Sequence, residues 1–330
     1  MQATGENTMQ MSQEEFVQIR DFIHERSGIF FAENKMYLVK NRLARRMAEL
    51  QIKTVRDYFY RVKYDVSQRE FKKLMDLVTT NETSFFRNEP QLRSFQEEVL
   101  PLLLKEKQAS GGKKSIRIWS AGCSTGEEPY TLAIILLEAL KASPGWTVEI
   151  IANDISEEVL QKARQGRYSG LTLRNMKPDV LARHFVQDGE HYQVTPAVKA
   201  LVKFSHVNLN EPRSMSLVGD VDVVFCRNVM IYFSDEVKKD LVRRFFDSLQ
   251  PGGFFFIGHS ETLHGISKAF KLMYFKHALV YRKEPVADAR PARPTIGGNG
   301  ARANQTSTAS SGANRAIELL KQIKPLTAQR

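Results

Sequence analysis

Only two cysteines, Cys123 and Cys226, occur in 330 residues, and they lie in separate segments. That excludes a disulfide framework and a thiolate metal site, so both are expected to be reduced and buried. There is no run of eighteen apolar residues and no secretory leader, which leaves the cytoplasm as the default location and no direct membrane insertion. His259 and His264 have no carboxylate or cysteine at ligand spacing, so no metal is expected. Internal repeats are absent too. Acidic residues are in deficit, 37 against 48 Lys and Arg, and the resulting charge of +11 implies an acidic partner without naming its class.

What is present divides into segments. Ser12 and Glu15 make a capping-box pattern ahead of Phe16, Ile19, Phe22 and Ile23. In "NKMYLVKNRLARRMAEL" the apolar residues Met36, Val39, Leu43, Met47 and Leu50 recur at helical spacing, with Lys35, Arg42, Arg45 and Arg46 grouped to one side. Two more helical stretches, Tyr58 to Tyr64 and Phe71 to Val78, carry further Lys and Arg. Residues 1–80 therefore read as a small basic helical domain, and 81–115 as a linker with a connecting helix. From Ile116 the pattern alternates strands with helices, which predicts a parallel sheet. Strands are expected at Ile116–Ser120, Val148–Ala152, Val202–Ser205, Val221–Cys226, Phe254–Gly258 and Ala278–Tyr281, and helices near Glu127–Leu140, Glu157–Gln165 and Asp235–Leu249. The stretch 168–203 is too long for a simple crossover and reads as a small insertion. After Lys283 the composition turns to Pro, Ala, Gly, Asn, Ser and Thr, so 285–330 reads as a disordered tail.

"IWSAGCSTGEEPYTLAIILLEAL" has the outline of a phosphate loop but lacks its chemistry. A nucleoside-triphosphate loop needs Gly-Lys-Ser/Thr, and Glu127 follows Gly126 here; the dinucleotide fingerprint needs a small residue where Pro129 stands. Two carboxylates in the first helical turn would also neutralise the positive helix end that attracts phosphate. Acids at that place are common dipole partners and need bind nothing. The following strand, however, ends in "IIANDIS", placing Asp154 where such sheets put the acid that holds a ribose. An adenosine-bearing ligand with a cationic arm and no phosphate satisfies both features, with Asp154 on the ribose hydroxyls and Glu128 toward an ammonium group. S-adenosylmethionine has that shape.

"TTNETSFFRN", "SAGCSTGEEPYTLA", "NDIS", "VNLN", "FCRNVMIYF" and "GGFFFIGHSETL" occur in an order and spacing that resemble the CheR family, the chemotaxis receptor glutamate O-methyltransferases. The resemblance covers residues 11–284. It implies an all-α N-terminal domain followed by an α/β class I S-adenosylmethionine-dependent methyltransferase domain of Rossmann-like fold at 116–284, with an antiparallel β-subdomain inserted at 168–203. Carried onto matching positions, it implies cofactor contacts at Asn81, Thr83, Arg87, Glu128, Asp154, Asn208, Leu209 and the turn Cys226, Arg227 and Asn228. Arg87 and Tyr232 resemble the pair facing the substrate carboxylate. Phe85 and Phe86 read as packing that anchors the linker.

A glutamate carboxylate with an ordinary pKa near 4.3 is already ionised at neutral pH, so methyl transfer to it needs no general base. The basic face bearing Lys35, Arg42, Arg45 and Arg46 would steer onto Glu-rich cytoplasmic domains of chemoreceptors. Relatives that also grip a receptor's C-terminal peptide carry a longer, glycine-rich loop in the inserted subdomain. "FVQDGEHYQV" is short, with the single Gly189, so independence from that peptide is expected. A nucleic-acid partner is disfavoured, since an amino-methylating enzyme shows Asp or Asn, Pro, Pro and an aromatic where this chain has "CRNVMIY". The protein is taken to act as a monomer.

Overall fold

The structure, a computed structural model, describes residues 9–215 and 218–285. The tail expected at 285–330 therefore lies, from residue 286 on, outside the described residues.

Helix α1, Gln13–Ser27, begins at Ser12, whose side chain accepts from the Glu15 amide at 3.1 Å while Glu15 accepts in return from the Ser12 amide at 2.8 Å. It stops at Gly28 in the left-handed region (φ 76°), where an added Cβ would come within 2.9 Å of Val237. Helices α2 (Met36–Glu49), α3 (Val55–Lys63) and α4 (Arg69–Val78) follow. The apolar stripe predicted for α2 is the buried one, with Val39, Leu43 and Met47 inward. These side chains join one continuous apolar cluster with Trp119, Val224 and Phe245, so the helical region shares its core with one face of the sheet. A backbone bridge ties the same parts together: Ile29 pairs antiparallel with Phe233, and the Phe30 amide donates to the Tyr232 carbonyl at 2.8 Å.

The chain then passes through α5 (Glu89–Ser94), a π-turn at Phe95–Val99 and α6 (Leu100–Ala109). Phe95 stands edge-on to Phe225 and Phe256, fixing this connection to the other face of the sheet.

The strands are β1 Ser115–Ala121, β2 Thr147–Asp154, β3 Arg167–Tyr168, β4 Phe185–Asp188, β5 His191–Val194, β6 Val202–His206, β7 Val221–Cys226, β8 Leu249–Ile257, β9 Lys271–Tyr274 and β10 Leu279–Arg282. The main sheet runs β6-β2-β1-β7-β8-β10-β9, parallel from β6 to β8 and antiparallel beyond. Alternation divides its side chains by face: Trp119, Val224, Cys226, Phe255 and Ile257 point to the helical region, and Ile118, Val223, Phe225, Phe254 and Phe256 to the opposite core. Helices α7 (Glu127–Leu140) and α8 (Glu157–Gln165) fall where the pattern predicts them. The insertion holds a three-stranded antiparallel sheet, β3-β5-β4. Phe85 is fully buried against Tyr168 and Phe185 of that insertion, ring centroids 4.9 and 5.2 Å away, which is the anchoring expected of it.

One strand escapes the sequence pattern. β9 is a four-residue edge strand that starts with a lysine and ends with the exposed Tyr274, so it carries no apolar run to announce it. Among the described residues no helix is long and apolar enough to cross a membrane.

Candidate functional site

A cavity of about 510 Å³ opens where β1, β2 and β7 end, between the sheet and the helical region. In open sheets this is the side on which loops gather and ligands bind, and β1 is where the strand order reverses.

The wall is built first by the turn after β1. Gly122 (φ 74°) brings the backbone against the exit of β7, so closely that a Cβ there would lie 2.5 Å from Val229. The amides of Gly122 and Cys123 both donate to the Asn153 carbonyl, at 2.8 and 2.9 Å, which fixes the turn to β2. Asp154, the last residue of β2, accepts from the Ser124 amide at 2.9 Å and the Ser156 amide at 3.0 Å. Burial pushes its carboxyl above the ordinary aspartate range, and these two amides oppose that only in part. A carboxylate has about four acceptor positions, so Asp154 still offers lone pairs to the cavity it lines.

The two acids at the head of α7 separate. Glu127 is buried and accepts from Thr125 Oγ1 at 2.6 Å; burial raises its pKa. Glu128 faces the cavity, accepting from Ser120 Oγ at 2.8 Å and pairing through Oε2 with Arg227 Nη1 at 3.2 Å. Arg227 also donates from Nε to Gln91 at 2.9 Å and from Nη2 to the Arg87 carbonyl at 2.7 Å. Burial pulls the Arg227 guanidinium below its usual value, and Glu128 opposes that shift. One guanidinium thus holds a cavity carboxylate and the backbone of Arg87 together.

The outer wall is the segment from Val78 to Ser84, every residue of which lines the cavity. Ser124 Oγ donates to the Asn81 carbonyl at 2.9 Å, and Asn81 Nδ2 to Thr79 at 3.1 Å. Arg87 is half-buried and donates to the Glu82 carbonyl at 3.0 Å. Tyr232 ends a short turn, Met230–Tyr232, and is half-buried at the cavity rather than enclosed in the core.

Asn81, Thr83, Arg87, Glu128, Asp154, Asn208, Leu209, Arg227, Asn228 and Tyr232 all line this one cavity. Asn208 has part of its amide committed elsewhere: its Nδ2 donates to the Arg26 carbonyl at 2.7 Å and its Oδ1 accepts from the Asn210 amide at 3.0 Å. Cys226 is the exception among the expected contacts. Its side chain is fully buried in the core shared with the helical region and does not line the cavity, because strand alternation turns it to that face.

The basic face also divides. Lys35 is exposed and lines the cavity mouth, and Arg45 is exposed, 3.6 Å from Glu49. Arg46 instead makes a two-pronged bond to Glu70, at 2.9 and 2.8 Å, and Arg42 donates to the Val78 carbonyl and, at 3.3 Å, to Thr80 Oγ1. Helical spacing groups these four cations but says nothing of the neighbours that α4 and the segment after it bring to two of them.

Two positioning residues went unread in the sequence. Gln91 bridges Arg227 to the Ile257 carbonyl, at 2.7 Å to the latter. Glu261 accepts from the amides of Gly258 (2.6 Å), Asn228 (2.8 Å) and Ile231 (3.2 Å), holding the loop that carries Asn228 and Tyr232. Its place in "GHSETL" is the only sequence feature that marks it.

The donor set suits a phosphate-free adenosine ligand with a cationic arm. The carboxylates of Asp154 and Glu128 line the cavity, the α7 terminus is occupied by acids, and the glycine turn leaves the backbone close to the ligand space. In comparison with known proteins, residues 81–279 match the SAM binding domain of CheR methyltransferases, and residues 14–79 match their all-alpha domain. The chain is 36% identical over 279 residues to chemotaxis protein methyltransferase 2 of Vibrio cholerae, spanning 84% of this chain and 95% of that one. It is 37% identical to chemotaxis protein methyltransferase 1 of Pseudomonas aeruginosa, over 83% of this chain and 99% of that one. It is also 37% identical to the chemotaxis protein methyltransferase of Salmonella typhimurium, over 79% and 88%.

Proposed function

This chain belongs to the CheR methyltransferase family and is a methyltransferase, and from that premise we propose that it converts glutamate side chains of chemoreceptor cytoplasmic domains into methyl esters. The methyl donor is S-adenosylmethionine, which supplies an electrophilic sulfonium methyl and leaves as S-adenosylhomocysteine. The observation that carries this reading is the pairing of a phosphate-excluding, acid-lined turn, Glu128 and Asp154, with Arg87 and Tyr232 in the same cavity.

Asp154 accepts the ribose hydroxyls, and Glu128 faces the ammonium group from its ion pair with Arg227. Asn81, Thr83, Leu209 and Asn228 close the walls, and Asn208 contributes what its internal bonds leave free. Arg87 and Tyr232 orient the incoming carboxylate, which needs no base because it arrives ionised. Opposite charges vanish as the methyl moves, so tight binding of the ionised carboxylate would raise the barrier. A half-buried arginine already bonded to the Glu82 carbonyl, with a tyrosine lining the same cavity, can align the substrate while holding it loosely.

Lys35 and Arg45, the exposed members of the basic face, steer the acidic receptor surface to the mouth, with Arg42 and Arg46 adding to the field from bonded positions. The turn between β4 and β5 is only Gly189 and Glu190, which supports independence from a receptor tethering peptide. The protein works in the cytoplasm as a monomer, without nucleic acid or metal. The test is transfer of labelled methyl from S-adenosylmethionine to receptor cytoplasmic fragments, followed by mild alkali. Alkali-labile label on the fragments is expected; stable label, or none, overturns the proposal.

A further inference from the structure

Of the four cations that periodicity groups along α2, Arg42 stands apart because it is half-buried and yet, among the described residues, no carboxylate pairs with it. Its two terminal nitrogens are spent on neutral oxygens of one segment, the Val78 carbonyl and Thr80 Oγ1. It is half-buried, and that burial pulls its guanidinium below the usual value while the nearby Tyr232 opposes the shift. A cation that gives up water for two neutral acceptors is poorly placed to meet an incoming anion. The same geometry makes it an effective clamp, since the planar fork presents donors on two separate nitrogens in a fixed arrangement, which the single nitrogen of an ammonium on a flexible stem does not.

What it clamps is the root of the outer wall. Residues 78–84 line the cavity in unbroken succession, and beyond Val78, the last residue of α4, they have no helix or strand of their own to hold them. Their inner hold is Ser124 Oγ on the Asn81 carbonyl, next to the Ser124 amide that binds Asp154. Two residues before them Asp76 caps α8, accepting from Ser156 Oγ at 2.7 Å and the Glu158 amide at 3.2 Å. Asp76 thus fixes the wall's root to α8, Ser124 fixes its middle to the turn over β1, and Arg42 braces it from α2.

We propose that Arg42 is a positioning residue for the cofactor cavity, bracing the Val78–Thr80 backbone so that Asn81 and Thr83 stand where the ligand meets them. This rests on the assignment of the cavity to S-adenosylmethionine. It separates Arg42 from the receptor-docking face, and charge-retaining replacement tells the two roles apart. Arg42→Lys keeps the charge a docking surface needs and loses the fork the wall needs.

The measurement is S-adenosylhomocysteine binding by calorimetry, without receptor, on wild type, Arg42→Lys and Thr80→Val, each checked for an unaltered thermal melt. Binding is expected to weaken about tenfold in Arg42→Lys and about threefold in Thr80→Val, as bonds to a charged donor are lost. Wild-type affinity in both folded variants overturns the role. If Arg42→Lys does not fold, Thr80→Val decides alone: weakened binding supports the clamp and unchanged binding removes it. Absence of binding in the wild type is a different failure, because it removes the assignment of the cavity itself and the clamp with it.

Discussion

Glu128 and Arg227 form an ion pair, Oε2 to Nη1 at 3.2 Å, between side chains exposed by only 15% and 4%. Because Arg227 also holds the Arg87 carbonyl, this pair connects the proposed cofactor side of the cavity to the proposed substrate side. Removing one partner strands a buried charge, so Glu128→Gln should destabilise the fold by about 3 kcal/mol and abolish measurable S-adenosylhomocysteine binding. Urea denaturation and calorimetry check both; wild-type stability would show the pair to be dispensable.

Asp154 yields a pH dependence. Burial raises its folded pKa, so its ionised form, the one proposed to accept ribose hydroxyls, is lost on acidification earlier than for an ordinary aspartate at about 3.9. Cofactor affinity should therefore fall as pH drops through that raised value. The effect on folding has the opposite sign: the buried charge costs stability at neutral pH, and protonation relieves that cost. Calorimetry from neutral to mildly acidic pH should show the decline in wild type and a flat, weak response in Asp154→Asn. Equal profiles would remove Asp154 from the ligand.

Tyr232→Phe removes a hydroxyl and little else from a half-buried position. Turnover on receptor fragments should fall about tenfold, with S-adenosylhomocysteine affinity unchanged, since the loss is of alignment alone. A fall in cofactor affinity instead would move Tyr232 to the other side of the site.

Lys35→Glu and Arg45→Glu change exposed charges, the first at the cavity and the second farther along α2. Each should lower kcat/KM for receptor fragments about three- to tenfold at low salt, chiefly through association, and leave cofactor binding alone. Raising ionic strength should shrink the difference between these variants and wild type. A salt-independent difference would contradict steering.

The sequence was most informative where local physics decides the outcome. Glu127–Leu140 and Glu157–Gln165 agree at both ends because an abrupt glycine turn and a Ser156 cap start those helices. Asp154 and Glu128 could be placed from the strand and the turn alone. Adjacency in "FCRN" groups Cys226 with its neighbours, yet period-two alternation from Val224 turns its side chain toward the core. Arg42 and Arg46 were unreadable for another reason: their acceptors, Thr80 and Glu70, lie 38 and 24 residues away, beyond any helical period. Glu261 was missed likewise, since it acts on amides 30 and 33 positions earlier.

The bridge between Ile29 and Phe233, with the Phe30 amide on the Tyr232 carbonyl, gives the turn that presents Tyr232 a backbone partner from the opposite end of the chain. The presentation of Tyr232 thus depends on two segments about two hundred residues apart in the chain. Exchanging only the first eighty residues between relatives would therefore replace the Ile29 and Phe30 side of the turn's support while leaving the Glu261 contacts in place.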